Sequence, residues 1–496
     1  MSVKQTMPEV RDPHRTPVLI GVGTASQRIE DPQAAAEPLQ LLLNAVGAAV
    51  ADTGTADILR ECASIAVPQG RWSYRNPAGA VARRFGAGDA CTMLSTVGVL
   101  QQTLIGDACA RIARGQAHTT LVCGADAGYR LQRSQILGQT LHDAQQDDTP
   151  QIRLTPAEEI RHPAELDAGL KMPMGLYAMM ESALRARHGW SIDAHREHLA
   201  AMYARFAGIA QRNPAAWLRD PPDEATLRGG PGNPMLAFPY TRLHCSNWSV
   251  DQASALLFCS EARAQQLGIT RERWIYVLGS VESNHMAPMS TRVRIHECPG
   301  AVIGGQALLS AAGLRAEDID LVDLYSCFPF AVQSFADAIG LPLDRDLTVT
   351  GGMSFAGGPW NNYLLQATAR AAELLREGRG RTALLSCVSG VVTKQGFGLY
   401  AREPLREFQH QDVTEQVARS MPAREVVRSY SGPATIVGYT VLRTRGEAPR
   451  AVALVDTSDG RRAMASGGDP ELLERMAREE FVGRPLRVTD GRIESI

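Results

Sequence analysis

The stretch between residues 90 and 128 restricts the fold more than any other part of the sequence. Residues 90–98 (ACTMLSTVG) predict a strand, residues 99–114 an amphipathic helix, and residues 119–128 (TTLVCGADAG) a second strand that is apolar throughout. A strand without a polar face must be covered on both sides, as happens in sheets built from strand–helix–strand units. The stretch therefore predicts an α/β fold.

The same alternation of strands and helices occupies most of the chain. Further strands are predicted at 17–23, 62–68, 274–283, 319–328, 381–390 and 396–404, a strand running into a helix at 251–268, and helices at 33–52, 300–313, 331–341 and 361–378. The two halves of the chain thus contain units of similar size. This similarity predicts a duplicated α/β architecture.

Two further regions interrupt or follow this alternation. Residues between the halves are rich in Gln, Arg, His, Asp and Pro and include a long proline-glycine tract at 213–234, which predicts an inserted loop domain. Near the C-terminus, alternating strands surround one helix that Asp469 caps and Pro470 begins, which predicts a small β-barrel of the OB type. The predicted domains are an N-terminal half (1–128 and 246–272), the loop domain (129–245), a C-terminal half (273–410) and the barrel (425–496).

Charge and cysteine usage exclude several classes of protein. The chain has 51 Lys and Arg against 53 Asp and Glu, and from residue 443 onward it has 10 arginines and 10 acidic residues, so we expect no nucleic-acid partner. The N-terminus lacks the apolar segment of a secretory signal, and no run of about 18 apolar residues predicts a membrane span. Nine scattered cysteines without a CxxC pair argue against a zinc site and fit a reducing cytoplasm.

Four segments resemble, in the correct order, motif segments of the thiolase superfamily. NWSVDQASALLFCSEARAQQLGI (247–269) is similar to the segment in which a small-residue strand leads into an acidic helix. The other three are IDLVDLYSCF (319–328), similar to the segment ending in Asn-Glu-Ala-Phe or His-Asp-Cys-Phe, GGMSFAGGP (351–359), similar to the Gly-His-Pro segment, and SCVSG (386–390), similar to the Cys-x-Gly segment. The resemblance covers about residues 16–405. It implies a five-layer αβαβα core with a loop domain, and we therefore expect a homodimer.

Within the superfamily, the chain resembles the thiolase-like proteins called type 1, because these carry an additional C-terminal domain. It also resembles thiolase-fold aldolases, which lack the nucleophile and often work with an OB-type partner protein. In this chain a module of that kind would be fused to the core.

The departures from the superfamily pattern concern the catalytic positions. Gly98 stands where the resemblance implies the nucleophilic cysteine, and Cys91 lies seven residues upstream. Gly358 replaces the histidine of Gly-His-Pro, and Tyr325 replaces the Asn or His of the third motif. The second cysteine, which the resemblance implies is the acid or base of carbon–carbon bond formation, persists as Cys387. The usual acyl-cysteine intermediate is therefore not expected.

For the candidate catalytic residues, two interpretations stay open. Cys387, followed by Gly390, is either a packed core thiol or the acid/base beside the α-carbon of an acyl thioester. Tyr325 and Cys327 share one face at the end of a strand, where α/β sheets bind ligands, and either pack there or donate to a substrate carbonyl. Lys394 is either a solvated turn residue or a group near this site.

The candidate substrate-binding residues are equally open. Gly98 and Gly358 are either turn glycines or vacated positions that leave room beside the substrate, and the N–H groups near Gly98, at a helix start, would hold a thioester oxygen. Asn361 and Asn362 either cap the following helix or donate to a substrate oxygen. His296 is either a loop residue or a surrogate for the missing histidine, and His244 is a weaker candidate.

Together these features predict an acyl-CoA-handling enzyme of the acyltransferase type that forms or cleaves a carbon–carbon bond next to a thioester. The alternatives are a non-catalytic acyl-CoA-binding protein, and a retro-aldolase or a subunit that needs a partner. We expect no metal and no cofactor beyond coenzyme A or its thioester as substrate. Because 48 of the 51 basic residues are arginines, side chains that bind CoA phosphates would almost all be guanidinium groups.

Overall fold

The computed structural model of the protein describes residues 11–156, 160–220, 222–443 and 446–495. The first ten residues, which include Lys4 and most of the stretch used above against a secretory signal, lie outside the described residues. The outer ends of the predicted domains 1–128 and 425–496 also lie outside them.

The first part of the chain forms the strands and helices that its pattern predicts. In chain order these are β1 (Pro17–Gln27), α1 (Pro38–Thr53), β2 (Ser64–Pro68), α2 (Pro77–Phe85), β3 (Cys91–Ser95), α3 (Gln101–Ala113), β4 (Thr119–Ala127), α4 (Gly128–Leu137) and β5 (Ile152–Leu154). The predicted helix 99–114 begins at Gln101, because Gly98 adopts a left-handed φ of 103° that interrupts helical geometry.

The middle region is mainly helical. It contains α5 (Pro163–Asp167), α6 (Pro173–His188), α7 (Ile192–Arg212), α8 (Glu224–Leu227), β6 (Met235–Ala237) and β7 (Tyr240–Thr241). On α6 the buried Glu181 carboxylate accepts hydrogen bonds from the Tyr240 hydroxyl at 2.6 Å and from Gln333 Nε2 at 2.8 Å, and it contacts His195 Nε2 at 2.7 Å. The contact with Gln333 joins the region to the second half of the core, and all three contacts supply the partners that a buried carboxylate requires.

The second part of the chain repeats the pattern of the first. Its elements are β8 (Asp251–Ser260), α9 (Glu261–Gln266), β9 (Ile275–Ser283), α10 (Pro299–Ala312), β10 (Leu321–Asp323), α11 (Pro329–Ile339), α12 (Gly352–Phe355), α13 (Tyr363–Arg376), β11 (Thr382–Ser389), β12 (Lys394–Ala401), β13 (Gln409–Asp412) and α14 (Thr414–Ser420). The predicted strand 319–328 ends at Asp323, because Tyr325 N then donates to the Ser386 side chain instead of a neighbouring strand.

The strand order confirms the duplication. The sheet runs β10-β11-β12-β9-β1-β8-β4-β2-β3-β5, with β13 beside β9. In one half, β1-β8-β4-β2 pair antiparallel, antiparallel and parallel. In the other half, β9-β12-β11-β10 pair in the same sequence of orientations. Helices α3 and α13 contact strands of both halves, whereas α1 and α10 each pack on their own half, which gives the predicted αβαβα layers.

The C-terminal region is a closed five-stranded barrel, as predicted. Its elements are β14 (Val426–Val427), β15 (Gly432–Leu442), β16 (Arg450–Thr457), β17 (Arg462–Gly467), α15 (Pro470–Met476), β18 (Pro485–Thr489) and β19 (Arg492–Ser495). The ring closes in the order β15-β16-β17-β19-β18-β15. Asp469 caps α15 by accepting from Leu472 N at 2.9 Å, which confirms the predicted cap.

Two glycines of β12 let the first turn of α3 approach the sheet. A Cβ at Gly396 would lie 2.6 Å from Gln102 Cβ, and one at Gly398 would lie 3.1 Å from Gln102 Oε1. Gln102 Nε2 instead crosses this gap and donates to Ser280 Oγ on β9 at 2.8 Å. Because Gly396 and Gly398 have no Cβ, the start of α3 can lie close to strands β11 and β12.

We expect Gly396→Ala to lower the free energy of unfolding by about 1–3 kcal/mol, because the new methyl group overpacks against Gln102. Urea denaturation measures this effect. The control is Gly47→Ala in α1, where the nearest atom to the added carbon is 3.9 Å away. Because position 47 is helical, Gly47→Ala should raise the free energy of unfolding by about 0.5–1 kcal/mol. Equal effects of the two substitutions on the free energy of unfolding would contradict the claim that Gly396 makes the close approach of α3 possible.

Candidate active site

Cys387 lies on β11 beneath the start of α3. It pairs across the sheet with Gly396 and is 1% exposed. Backbone N–H groups in the first turn of a helix have no partner within the helix, and those of Gln101 and Gln102 are hydrogen-bonded to the Cys387 sulfur. Burial raises the pKa of Cys387 to about 11 and outweighs these N–H groups, which favour the thiolate. At neutral pH the side chain is therefore a thiol that can give up a proton.

Tyr325 and Cys327 follow β10 and lie beside Cys387. A thiolate at Cys387 or Cys327 would raise the pKa of Tyr325, so the three groups lie within electrostatic range of one another. Burial is the larger cause and holds the pKa of Tyr325 well above its usual value. Burial likewise raises the pKa of Cys327 to about 12. The structure thus brings together the three residues that the sequence suggested as catalytic, in their proton-bearing forms.

Two further residues of this cluster were not identified from the sequence. The Tyr177 hydroxyl, on α6, is hydrogen-bonded to the Cys327 thiol. The Gln101 side chain is hydrogen-bonded to the Tyr325 hydroxyl, and its Oε1 accepts from Leu364 N at 2.7 Å. The sequence pointed only weakly to Gln101, which lies three residues after Gly98. It did not point to Tyr177, because the contact of this residue depends on how the middle region folds over the core.

The expectation of extra room at the two vacated positions is wrong. A Cβ at Gly98 would lie 2.8 Å from Pro156 Cγ, and one at Gly358 would lie 2.1 Å from Ser246 Oγ. Other parts of the chain therefore fill both spaces. Gly98 also does not begin the helix as predicted, because α3 begins at Gln101. The first N–H groups of α3, those of Gln101 and Gln102, are directed at the Cys387 sulfur.

Each of the two asparagines makes one side-chain contact within the protein, whereas Asn361 Nδ2 and Asn362 Oδ1 are buried and have no hydrogen-bond partner among the described residues. Asn362 precedes α13 but makes no side-chain cap, so capping is wrong for this residue. Its Nδ2 lies 3.5 Å from Ser254 Oγ, and the missing side chain of Gly124 makes room for its Oδ1. Asn361 Oδ1 accepts from Gln101 Nε2 at 3.4 Å. Asn361 is thus linked to the site through Gln101.

The turn between β11 and β12 has an uncommon backbone. Gly390, Val391 and Val392 have φ values of 60°, 53° and 64°, and we call these three residues the left-handed turn. For L-residues this conformation costs roughly 1–2 kcal/mol each, and it is rarer for β-branched side chains. The turn is followed by Lys394, which is 4% exposed and directs Nζ to Gly98 O at 3.5 Å. Lys394 is therefore not a solvated turn residue.

His296 lies apart from this cluster, so its proposed role as a surrogate for the missing histidine is wrong. It lines a separate cavity of about 480 Å³ with residues of α10 and α11. Those helices pack on the outer side of the sheet, whereas Cys387 faces α3. Its nearest charged contact is Glu297, at 3.9 Å.

Among the described residues, no set of three or more His, Cys, Asp or Glu side chains is placed to bind a metal ion. In the same part of the chain, no helix has the length and apolar character needed to cross a membrane.

Comparison with known proteins agrees with the fold. Residues 412–492 match the family model of the thiolase-like protein type 1 additional C-terminal domain. A solved structure of a monomeric SCP2-thiolase-like protein type 1 from Mycobacterium smegmatis superposes with a TM-score of 0.80 and 27% identity, over 97% of this chain and 99% of that one. These two findings support assignment of the chain to the thiolase-like proteins of type 1.

Two more distant matches complete the comparison. An acetyl-CoA acetyltransferase of Methanothermobacter thermautotrophicus is 29% identical over 254 residues, which are 47% of this chain and 61% of the relative. The chain thus spans less than two thirds of that relative's length. The Ltp2-ChsH2(DUF35) aldolase has a TM-score of 0.60 at 20% identity, over 79% of this chain and 99% of the other, and shows the shared fold. The homodimer expected from the sequence stays a prediction.

His244 generates a prediction about acid stability. It is 3% exposed, and burial lowers its pKa from 6.5 to about 3. Below pH 6.5 the His244 imidazole therefore binds a proton in the unfolded chain but not in the folded protein. The free energy of unfolding consequently falls as the pH falls. We expect the His244 imidazole to lower the free energy of unfolding by about 2 kcal/mol between pH 7 and pH 5.

The measurement is the free energy of unfolding in urea at pH 7, 6 and 5 for the wild type and His244→Gln. The variant should be less stable at pH 7, because Thr241 N loses its Nδ1 acceptor at 3.2 Å. Its stability should nevertheless fall less steeply with acid. A variant with the wild-type slope would contradict the assignment.

Proposed function

We propose that this protein handles acyl-CoA thioesters and forms or cleaves the carbon–carbon bond next to the thioester without an acyl-cysteine intermediate. One observation supports this more than any other. A thiol and a phenol, Cys387 and Tyr325, lie together in a buried site at the start of α3, while a glycine occupies the position of the nucleophile. Such a site can move protons but offers no nucleophile at the usual place.

In the direction of cleavage of a 3-hydroxyacyl thioester, the 3-hydroxyl group would lose its proton to water and become a carbonyl group. The electrons of the broken bond between C2 and C3 would pass to the thioester and leave an enolate. Cys387 would give its proton to the α-carbon, and the resulting thiolate would be stabilised by the N–H groups of Gln101 and Gln102. Tyr325 would donate a hydrogen bond to the thioester oxygen while negative charge develops there. In the direction of synthesis, the Cys387 thiolate would remove the same proton.

We expect Cys387→Ala to lower turnover by about 100-fold or more, the usual contribution of a general acid or base. The assay offers a panel of 3-hydroxyacyl- and 3-ketoacyl-CoA thioesters and detects products by chromatography. Cys62→Ala is the matched control, because this thiol is equally buried but is hydrogen-bonded to Ser64 instead. Full activity of the Cys387 variant would exclude the residue as the acid or base.

Tyr325→Phe should lower kcat by about 10²–10³-fold, the cost of removing one donor to a developing oxyanion. The phenylalanine ring keeps the edge-on contact with Tyr363, whose centroid is 5.6 Å away. Unchanged thermal stability together with unchanged turnover would assign Tyr325 to packing alone. Mass spectrometry of the wild type after turnover should show no acylated cysteine.

A second candidate is a protein that binds acyl-CoA without catalysis. The filled spaces at Gly98 and Gly358, together with the absence of nucleophile and histidine, favour it. Binding of the thioesters without product would support this candidate. Activity that requires a second protein would support the third, a subunit that works with a partner, for which the DUF35 aldolase is the structural precedent.

A further inference from the structure

The C-terminal barrel is joined to the core through a buried arginine on β17. Arg462 is 1% exposed, and its Nε donates to Asp456 Oδ1 within the barrel at 2.8 Å. Its terminal nitrogens point out of the barrel and donate to the main-chain oxygens of Ser290, Arg292 and Val293. The barrel therefore holds a short segment of the core, residues 287–293, which we call the clasp.

The clasp is hydrogen-bonded to the left-handed turn through Arg292. The Arg292 side chain is 3% exposed, and its Nη2 donates to Val391 O at 2.7 Å and to Gly390 O at 3.4 Å. Its Nε donates to Ala287 O at 3.0 Å, within the clasp itself. One residue thus accepts from the barrel through its main chain and donates to the turn through its side chain.

Arg292 supplies a charged donor to a turn with an unfavourable backbone. Its three left-handed residues include two valines, for which the conformation is unfavourable, and the carbonyl groups of Gly390 and Val391 are buried. Gly390 O also accepts from Thr393 Oγ1 at 2.8 Å, so removal of Arg292 would chiefly deprive Val391 O of its donor. We expect the backbone at Val391 then to relax towards ordinary geometry. The strand residues on either side, Cys387 and Lys394, would then shift relative to the start of α3.

We propose that Arg462 is a positioning residue for the candidate active site. It fixes the clasp, the clasp fixes Arg292, and Arg292 fixes the left-handed turn that sets Cys387 and Lys394 around the first turn of α3. The barrel would thereby act on the site through this chain of contacts. The inference rests on the proposed function for the identity of the site, but the mechanical link can be tested without it.

The test is hydrogen–deuterium exchange of the full-length protein, followed by mass spectrometry of the peptide that contains residues 388–394. We expect Arg462→Met and Arg292→Met each to speed exchange in this peptide by about tenfold, since each removes buried charge-assisted hydrogen bonds. The double variant should exchange no faster in the turn than Arg292→Met alone, because both substitutions break one chain of contacts.

Two controls separate positioning from general loss of stability. Met476→Ala destabilises the barrel core at a fully buried position that does not contact the clasp, and it should leave the 388–394 peptide unchanged. Arg461→Met removes the neighbouring exposed guanidinium, which pairs with Asp459, and should also leave it unchanged. Faster exchange of the turn in Met476→Ala, or no change in Arg462→Met, would overturn the proposal.

If Arg462→Met does not yield folded protein, Arg462→Lys replaces it in the exchange experiment. Lysine keeps the charge but not the forked donors, so exchange in the 388–394 peptide should again be faster. Where the wild type turns over a thioester, Arg462→Met should lower kcat by about tenfold with KM unchanged, as expected for misplaced reacting groups. Absence of wild-type turnover would count against the proposed function alone. Normal turnover with unchanged exchange in the variant would count against the positioning role alone.

Discussion

The close approach of a helix start to a strand is the constraint on which the rest of the site depends. The first turn of α3 can lie on β12 only because Gly396 and Gly398 have no side chains. This approach directs two otherwise unpaired N–H groups at the Cys387 sulfur and places Gln101 beside Tyr325. The environment of the thiol is thus a consequence of backbone packing. A buried thiol without these donors would have no means of carrying negative charge, even briefly.

Arginine, which is abundant in this chain, holds the domains together in an uncommon way. Arg292 and Arg462 are both buried, and most of their partners are main-chain oxygens rather than carboxylates. A guanidinium group has five donors in a fixed plane, so it can satisfy several carbonyl groups from different segments at once. Lysine could not replace it at these positions. The buried Lys394, by contrast, lies at the site itself, where a single flexible donor reaches Gly98 O.

Most of the architecture could be predicted from the sequence, because apolar strands and amphipathic helices are local patterns. The meeting of Cys387, Tyr325 and Cys327 could also be predicted, since the carboxyl ends of neighbouring parallel strands share one edge of a sheet. The packing of remote segments could not. Pro156 fills the space at Gly98, Ser246 fills the space at Gly358, and Tyr177 reaches Cys327 from the middle region. No local pattern reports such contacts, which also explains the wrong expectations of extra room and of a site histidine.

The filled positions bear on the chemistry as well as on packing. A site that had lost its nucleophile and kept the empty space would admit water, and water would compete for any proton at Cys387. Instead Cys387 and Tyr325 are both at least nine-tenths buried, and burial is the largest cause of their raised pKa values. In such surroundings hydrogen bonds to a developing charge are stronger than in water. Under the proposed function, the route through an acyl-cysteine is missing because Gly98 carries no thiol. The burial of Cys387 and Tyr325 would favour proton transfer to and from carbon, because it keeps both groups protonated until a substrate provides the charge.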